Sequence, residues 1–228
     1  MNPDAARASS LAAAARALVG RGSFDETLEA VARTAQKSLP GFEHVSVSLV
    51  NRSGGIETKA VTDSFARELD ALQYSVDEGP CLSAIREVTL VAVPDLREER
   101  RWPRYLPGAI SAGVRAQMSV RLTVDDEHTI GGLNLYSTSR DGRATDAEEM
   151  VESFAAHASI ALHQARELAN LREALNSRAV IGQAIGIVME RYQLSEDRAF
   201  AYLVRASSHA NVKLRQIAQG LVDENNAR

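Results

Sequence analysis

The hydrophobic pattern at the start of the chain recurs every three or four residues, which predicts helices. One helix is expected from Ala5 to Val19, within an N-terminal segment of residues 1–22, because the glycines at positions 20 and 22 end the pattern. A second helix is expected up to Leu39. Its start is indicated by Ser23 and Glu26, whose spacing is that of a capping box.

The middle of the chain alternates apolar and polar residues, which is the pattern of half-buried strands. Two hairpins and three single elements are expected there. They are a hairpin of Val45–Leu49 and Ile56–Thr62, a helix from Ser64 to about Tyr74, a short helix after the DEGPC turn, a strand Thr89–Val93, and a hairpin of Ala116–Val124 and Ile130–Ser137. Strands and helices mixed on this scale predict an α+β fold with a mostly antiparallel sheet and flanking helices.

A long helical pattern follows, from a second capping box at Thr145 and Glu148 to Tyr192. Apolar or small residues recur along it every seven positions, which is typical of a coiled-coil seam. They are Phe154, Ala161, Leu168, Leu175, Gly182 and Met189, with companions Ala158, Ala165, Ala179 and Gly186; Arg172 interrupts the companion series, where Leu171 can serve instead. A helix of about 65 Å is too long to be buried in one small protomer. We therefore expect a parallel homodimer; the alternative is a helix bent at Asn176 and Ser177 within one chain.

Two shorter helices are expected after Tyr192. The first begins at Glu196 behind the N-cap Ser195, and Asn211 is expected to cap the second. The residues expected to be buried are Phe200, Leu203 and Val204 with Ala199 and Ala206, and then Leu214, Ile217, Ala218 and Leu221.

Two glycines, Gly182 and Gly186, lie inside the long helix, where each costs roughly 1 kcal/mol relative to alanine. Two explanations are open. Either another helix of the same module packs closely against them, or a ligand or RNA backbone approaches there.

Positive charge is concentrated at the end of the chain. Between Arg172 and Val222 there are seven cations and four acids, while the whole chain has a net charge of −4. A basic segment on an acidic body is the asymmetry expected of a module that docks on a polyanion, although charge alone favours a solvated helical face. Arg198, Tyr202 and Arg205 share one face of their helix, so an aromatic ring is available for base stacking between two cations.

The residues after Arg178 carry a resemblance to a known family. The pattern IGQAIGIVMERYQLSEDRAFAYLVRASSHANVKLRQIA resembles ANTAR domains, the three-helix RNA-binding modules of transcription antitermination regulators. Within the segment 166–228, this resemblance implies binding to paired RNA stem-loops whose formation prevents a terminator hairpin. The expected RNA-binding residues are Arg178, Gln183, Arg191, Arg198, Tyr202, Arg205, Lys213 and Arg215. Gln183 stands where many members have lysine, which removes one phosphate contact.

The order of elements in residues 23–165, with the motifs DEGPC and GGLNLYS, resembles GAF domains, which are small-ligand sensors. The signature of cyclic-nucleotide-binding members is absent, and no pair of residues suits a bilin or a haem, so the resemblance implies a sensor without naming its ligand. Candidate pocket residues are Cys81, Trp102 and Tyr105. The alternatives are a buried structural cysteine and aromatic loop anchors.

Composition excludes several other classes. The chain is 45% hydrophobic and 25% charged, as in ordinary globular proteins, and it has no apolar run of the roughly 18 residues that a bilayer requires. We expect no membrane association, no metal site and a cytoplasmic location, and the sequence makes no cofactor evident. Neither a catalytic constellation nor a nucleophile elbow is recognisable, so an enzyme is not expected. Two rivals remain: a sensor or scaffold whose C-terminal helices bind a protein partner, and a thiol reductase that depends on Cys81.

Overall fold

A computed structural model of the protein describes residue 18 and residues 22–39, 41–51, 53–124, 129–139 and 147–227. The chain divides into two compact units, Met1–Arg166 and Glu167–Arg228. The predicted helix in residues 1–22 lies outside the described residues except for Leu18, which is helical and buried. The predicted cap Thr145 also lies outside them.

The first unit confirms the predicted α+β fold. Its elements are α1 (Phe24–Ser38), β1 (His44–Val50), β2 (Ile56–Val61), α2 (Ser64–Val76), α3 (Pro80–Arg86), β3 (Leu90–Val93), α4 (Leu106–Ser111), β4 (Ala116–Thr123), β5 (Thr129–Ser137) and the start of α5 (Ala147–Tyr192). In the described part of the chain, five strands form one antiparallel sheet in the order β2-β1-β5-β4-β3. Both predicted hairpins are present, and pairing of β1 with β5 joins them.

Local sequence signals position these elements. The capping box of α1 is formed: the backbone N–H of Glu26 donates to Oγ of Ser23 at 3.1 Å, and the backbone N–H of Ser23 donates to Oε2 of Glu26 at 2.9 Å. In the GGLNLYS motif, Gly131 is required by strand packing, because a Cβ there would collide with the backbone oxygen of Ser48. In the DEGPC motif, Gly79 has a φ of +140° and leads into Pro80 at the first turn of α3.

The two faces of the sheet differ in chemistry. One face packs against α1 and the start of α5 in an apolar core that includes Val45, Val47, Val120 and Leu135. The other face presents polar side chains at alternate positions of the central strands and is covered by α2 and α3. These polar residues are Ser46, Ser48, Gln117, Ser119, Asn134 and Tyr136.

The start of α5 completes the apolar core. Phe154, Ala158 and Ala161 are buried against the sheet, because its apolar face needs a cover. The first positions of the predicted coiled-coil seam are therefore occupied within one chain and are not available to a second helix. The helix is continuous through Asn176 and Ser177, where a bend was the alternative.

The second unit is the predicted three-helix module, built from the end of α5, α6 (Glu196–Ala210) and α7 (Leu214–Asn226). The buried core between these helices consists of three alanines and three larger aliphatic residues: Ala184, Val188, Ala199, Leu203, Ala218 and Val222. The predicted inward residues Leu214, Ile217 and Leu221 are half-buried against this cluster. The helix α6 begins at Glu196 after Ser195, as the sequence predicts.

Two predictions for α6 and α7 are wrong. Asn211 does not begin α7 but ends α6 in the left-handed conformation, with a φ of 52°, and Lys213 is the N-cap of α7. Asparagine tolerates this conformation better than most residues, which is why it ends a helix here. Phe200 and Val204 are not buried: they are 44% and 38% exposed. The buried line of α6 is Ala199 and Leu203, and the next position along the helix has already turned toward solvent.

Candidate functional site

A hydrogen-bond network fills the polar face of the sheet in the first unit, and its centre is the carboxyl group of Asp70 on α2. Oδ1 of Asp70 accepts hydrogen bonds from the Tyr136 hydroxyl and from Nδ2 of Asn134, the latter at 3.0 Å. Oδ2 accepts from Oγ1 of Thr58 at 2.6 Å and from Oγ of Ser48 at 3.5 Å. Burial raises the pKa of Asp70, although the hydrogen bonds from Thr58 and Tyr136 act in the opposite direction.

The network continues to Cys81 at the start of α3. Nε2 of Gln73 donates to the Tyr136 hydroxyl at 2.9 Å, and the backbone N–H of Cys81 donates to Oε1 of Gln73 at 2.9 Å. Burial, and then the nearby Asp70, raise the pKa of the Cys81 thiol to about 12. The neutral thiol is therefore the stable form at neutral pH, which disfavours the nucleophile that a thiol reductase requires.

The other two predicted pocket residues are buried close to the same network. Nε1 of Trp102 donates to Oγ of Ser83 at 3.1 Å, and the Tyr105 hydroxyl donates to Oε1 of Gln117 at 2.7 Å. Both aromatic rings belong to an apolar cluster on this side of the sheet. They anchor the irregular segment before α4, and their role around a ligand stays a prediction.

Four polar atoms on this face are buried with no hydrogen-bond partner among the described residues: Nε2 of Gln117, Oγ of Ser119, Nε of Arg121 and Oδ1 of Asn134. Gln117, Ser119 and Arg121 are spaced two residues apart on β4 and therefore point to the same side of the sheet, and Asn134 on β5 pairs with Ser119. An unpaired buried polar group costs roughly 1–3 kcal/mol. A small polar ligand that reached these atoms would remove that cost.

The eight predicted RNA-binding residues all lie in the second unit, but their cations differ in how they are paired. Arg178, Arg198, Arg205 and Lys213 are exposed, and no ion pair joins them to another described residue. By contrast, Arg191 lies 3.6 Å from Glu224, and Arg215 lies 3.1 Å from Glu173. The last two cations are already partly neutralised by carboxylates of their own chain.

Gln183 lies beside a shallow groove of about 490 Å³ between α5 and α7, which is also lined by Gly186, Glu190, Asn225 and Asn226. Amide and carboxylate groups of this kind form hydrogen bonds with base edges.

The two helical glycines are open to solvent. Gly182 and Gly186 are exposed, and a Cβ added to either would meet no atom within 4 Å. Close packing of another helix of the same module, the first of the two explanations, is therefore wrong.

The structure shows an aromatic contact at the end of α5 that the sequence alone does not predict. The rings of Tyr192 and Tyr202 have centroids 5.4 Å apart, with planes tilted by 36°. Both residues are exposed. Tyr202 is a predicted stacking residue, whereas Tyr192 resembles an ordinary helix-terminal residue in the sequence.

Three leucines of α5 in the second unit face solvent. Leu168, Leu171 and Leu175 are 53%, 60% and 67% exposed, although leucine is among the residues most often buried. They occupy the middle of the predicted coiled-coil seam, and this apolar stripe has the spacing that a second helix would cover.

Two kinds of feature are absent from the described residues. No group of three or more histidine, cysteine, aspartate or glutamate side chains is placed there to hold a metal ion. No helix among them combines the length and the apolar character that crossing a membrane requires.

Family comparisons agree with this two-part architecture. A model of the GAF domain matches residues 22–163, and a model of the ANTAR domain matches residues 169–222. The chain belongs to the GAF domain family and carries an ANTAR domain after its GAF domain. None of the curated proteins matches the chain.

Solved structures share the fold at low sequence identity. The bacteriophytochrome from the photosynthetic bacterium R. palustris is 13% identical to this chain, with a TM-score of 0.58. The match covers 79% of this chain and 41% of the bacteriophytochrome chain. The GAF domain of an Acinetobacter phosphoenolpyruvate-protein phosphotransferase is 12% identical with a TM-score of 0.55, covering 72% of this chain and 97% of its own.

The free methionine-R-sulfoxide reductase from Neisseria meningitidis is 16% identical with a TM-score of 0.56, covering 74% of this chain and 95% of its own. This chain thus spans less than half of the bacteriophytochrome. At these identities the likeness is one of fold alone.

Proposed function

We propose that the protein is a cytoplasmic RNA-binding regulator of transcription antitermination, in which the GAF domain senses a signal and the ANTAR domain binds RNA. The RNA would be a pair of stem-loops in nascent mRNA. The observation that carries the proposal is the ANTAR match over residues 169–222, on a unit whose cations Arg178, Arg198, Arg205 and Lys213 are exposed.

Phosphate contacts by these four cations would supply most of the affinity, because each contact releases counterions from the RNA. Arg191 and Arg215 would contribute less, since each must first exchange a carboxylate of its own chain for a phosphate. Gln183 would donate a hydrogen bond from its groove, and Tyr202 would stack on a base.

A homodimer would present two ANTAR domains to the two stem-loops. The exposed leucines Leu168, Leu171 and Leu175 support a helix-to-helix contact, because burying each leucine contributes roughly 1.5–3 kcal/mol. The GAF domain would act on this arrangement, with Cys81, Trp102 and Tyr105 around the site of its small-molecule ligand.

A charge-removal experiment tests RNA binding directly. Arg198→Ala with Arg205→Ala should weaken binding to a two-hairpin RNA and lower the slope of log affinity against log salt by about 1.5, since two phosphate contacts are lost. The melting curve should not change, because both side chains are exposed. Affinity measured by filter binding across salt concentrations gives both values.

The matched control is Arg33→Ala with Arg67→Ala, which removes two exposed arginines from the first unit. This variant should bind the RNA as the wild type does. Unchanged affinity and salt slope in the Arg198/Arg205 variant would show that this surface does not bind RNA.

A second candidate function is a sensor whose C-terminal helices bind a protein partner. It is favoured by the exposed apolar residues Phe200 and Val204 on α6. RNA recovered with the purified protein separates the two candidates, since a protein-binding module should show no enrichment of hairpins over bulk RNA.

A further inference from the structure

Two tyrosine rings form an exposed contact where α5 ends. Tyr192 is the last residue of α5, and Tyr202 lies in the middle of α6. Their ring centroids are 5.4 Å apart, yet Tyr192 remains 50% exposed and Tyr202 38% exposed. Rings that contact each other and also solvent present a broad apolar surface on which a planar group can lie.

The surroundings of this ring pair are cationic. Arg198 precedes Tyr202 by four residues and Arg205 follows it by three, so both lie on its side of α6. Arg191 is close enough to act electrostatically on the Tyr202 phenol. A hydrogen bond with Tyr192 raises the pKa of Tyr202, so this phenol is uncharged at neutral pH.

We propose that Tyr192 and Tyr202 form a stacking platform for an unpaired base of an RNA loop, with Arg198 and Arg205 on the phosphates beside that base. This inference rests on the proposed function, because it requires the second unit to bind RNA. Stacking on aromatic rings suits single-stranded loops, whose bases are free to turn out of the helix, and it tolerates any base because every base has a π face.

A protein partner fits this platform less well. The exposed apolar residues of α6, Phe200 and Val204, lie two positions before and after Tyr202 and therefore on the opposite side of the helix. The tyrosine side of α6 carries arginines instead of further apolar surface. Phenol rings bordered by guanidinium groups match the alternation of bases and phosphates in a nucleic acid strand.

The test compares tyrosine variants on two RNAs: a two-hairpin RNA with unpaired loop bases, and the same RNA with abasic loop nucleotides. Tyr192→Leu and Tyr202→Leu should each weaken binding to the first RNA by about 5- to 150-fold, the range expected for losing one stacked base. Tyr192→Phe and Tyr202→Phe keep the rings and should stay within about twofold of the wild type. On the abasic RNA all five proteins should bind alike.

Two further readouts distinguish stacking from charge. The salt slope should be unchanged in the leucine variants, because no phosphate contact is lost, whereas it falls in the Arg198/Arg205 variant. A 2-aminopurine placed at each loop position in turn should change its fluorescence on binding to the wild type at the stacked position. The leucine variants should show no such change.

The possible failures are separable. If the wild type binds the two-hairpin RNA with the expected dependence on Arg198 and Arg205, but the leucine variants bind as tightly, the platform is wrong and the proposed function stands. If the wild type enriches no hairpin over bulk RNA, the proposed function fails and the platform with it. Equal wild-type affinity for the normal and abasic loops overturns the platform without any change to the protein.

Discussion

The two units handle polar and apolar groups in opposite ways. The first unit turns a polar sheet face inward and pairs its groups with one another around Asp70, which is fully buried. The second unit leaves leucines, tyrosines, glycines and cations exposed around a core whose buried residues include three alanines. The first unit therefore pairs most of its buried polar groups within itself and leaves a few atoms of β4 and β5 unpaired, whereas the second unit exposes surfaces that a binding partner could cover.

This contrast agrees with the different roles proposed for the two units, sensing for the first and binding for the second. A buried network of hydrogen bonds stabilises one arrangement of the strands and helices around it, which is suitable for a domain that responds to a small change at its centre. An exposed apolar stripe beside exposed cations costs stability in isolation and is suitable for a domain that acts by association.

The largest expected effect is loss of the proposed self-association when the exposed leucines of the second unit are removed. If the proposed homodimer forms through these residues, Leu168→Ala, Leu171→Ala and Leu175→Ala together should raise its dissociation constant at least about 10³-fold, because each chain would lose three leucines from the proposed interface. Alanine preserves helix propensity, so far-UV circular dichroism should be unchanged. Sedimentation equilibrium over a range of protein concentrations measures the constant.

The matched control removes exposed apolar residues of the first unit, Val88→Ala with Ile110→Ala. This variant should associate as the wild type does. A wild type that is monomeric at all concentrations, or a triple variant that still dimerises, would show that the leucine stripe is not a dimer interface.

The next effect is loss of stability in the first unit when its network is opened. Asp70→Ala should lower the free energy of unfolding of this unit by about 3–5 kcal/mol, because the donors of Tyr136, Asn134 and Thr58 are left buried without their acceptor. Trp102 is the only tryptophan of the chain, so its fluorescence during urea unfolding reports on this unit. A cost under about 1 kcal/mol would show that the network is not what holds these elements together.

The carboxyl group of Asp70 should also make the stability of the first unit depend on pH. The pKa of Asp70 is raised in the folded unit, so above an unfolded value of about 4 the folded state holds a proton that the unfolded chain releases. Stability should therefore fall as the pH rises from that value through the raised pKa. Asp70→Asn cannot titrate, so the difference in stability between wild type and variant should change over this window. A constant difference would contradict the raised pKa.

Sequence reasoning succeeded where a pattern is local. Apart from α4, which lies in a segment expected to be irregular, the described helices, both hairpins and the family resemblances follow from periodicity, capping residues and short motifs such as DEGPC and GGLNLYS. It failed where the decisive contact lies far along the chain. Asp70 sits in an ordinary amphipathic helix, and only the pairing of β1 with β5 brings Ser48 and Asn134 beneath it.

The errors in the second unit have the same origin. Helical spacing alone predicts a broad buried face on α6, but the neighbouring helices cover only the line of Ala199 and Leu203. Tyr192 was missed because its contact with Tyr202 crosses the turn between two helices. Asn211 carries the residue preferences of both a helix start and a helix end, and its backbone conformation decides between them.

The smallest expected effect concerns the exposed glycines, which lower the stability of the second unit but could permit close contact with a second helix. Gly182→Ala should stabilise the second unit by about 0.5–1 kcal/mol, because alanine restricts the unfolded chain and its Cβ meets no atom within 4 Å. Gly220→Ala on α7 is the matched control, since this glycine is also helical, exposed and open. Both gains are measurable by thermal unfolding followed by circular dichroism.

The two variants should differ in self-association. Gly182 continues the heptad series of Leu168 and Leu175, so an added methyl group would hold a second helix away and weaken the dimer several-fold, whereas Gly220→Ala should leave it unchanged. A glycine that lowers the stability of the isolated unit is explained if it permits closer contact in the assembled one. If both variants gain stability and neither alters association, the face around Gly182 is simply solvated. The surfaces of the second unit that are proposed to bind a partner are then only those of the exposed leucines and cations.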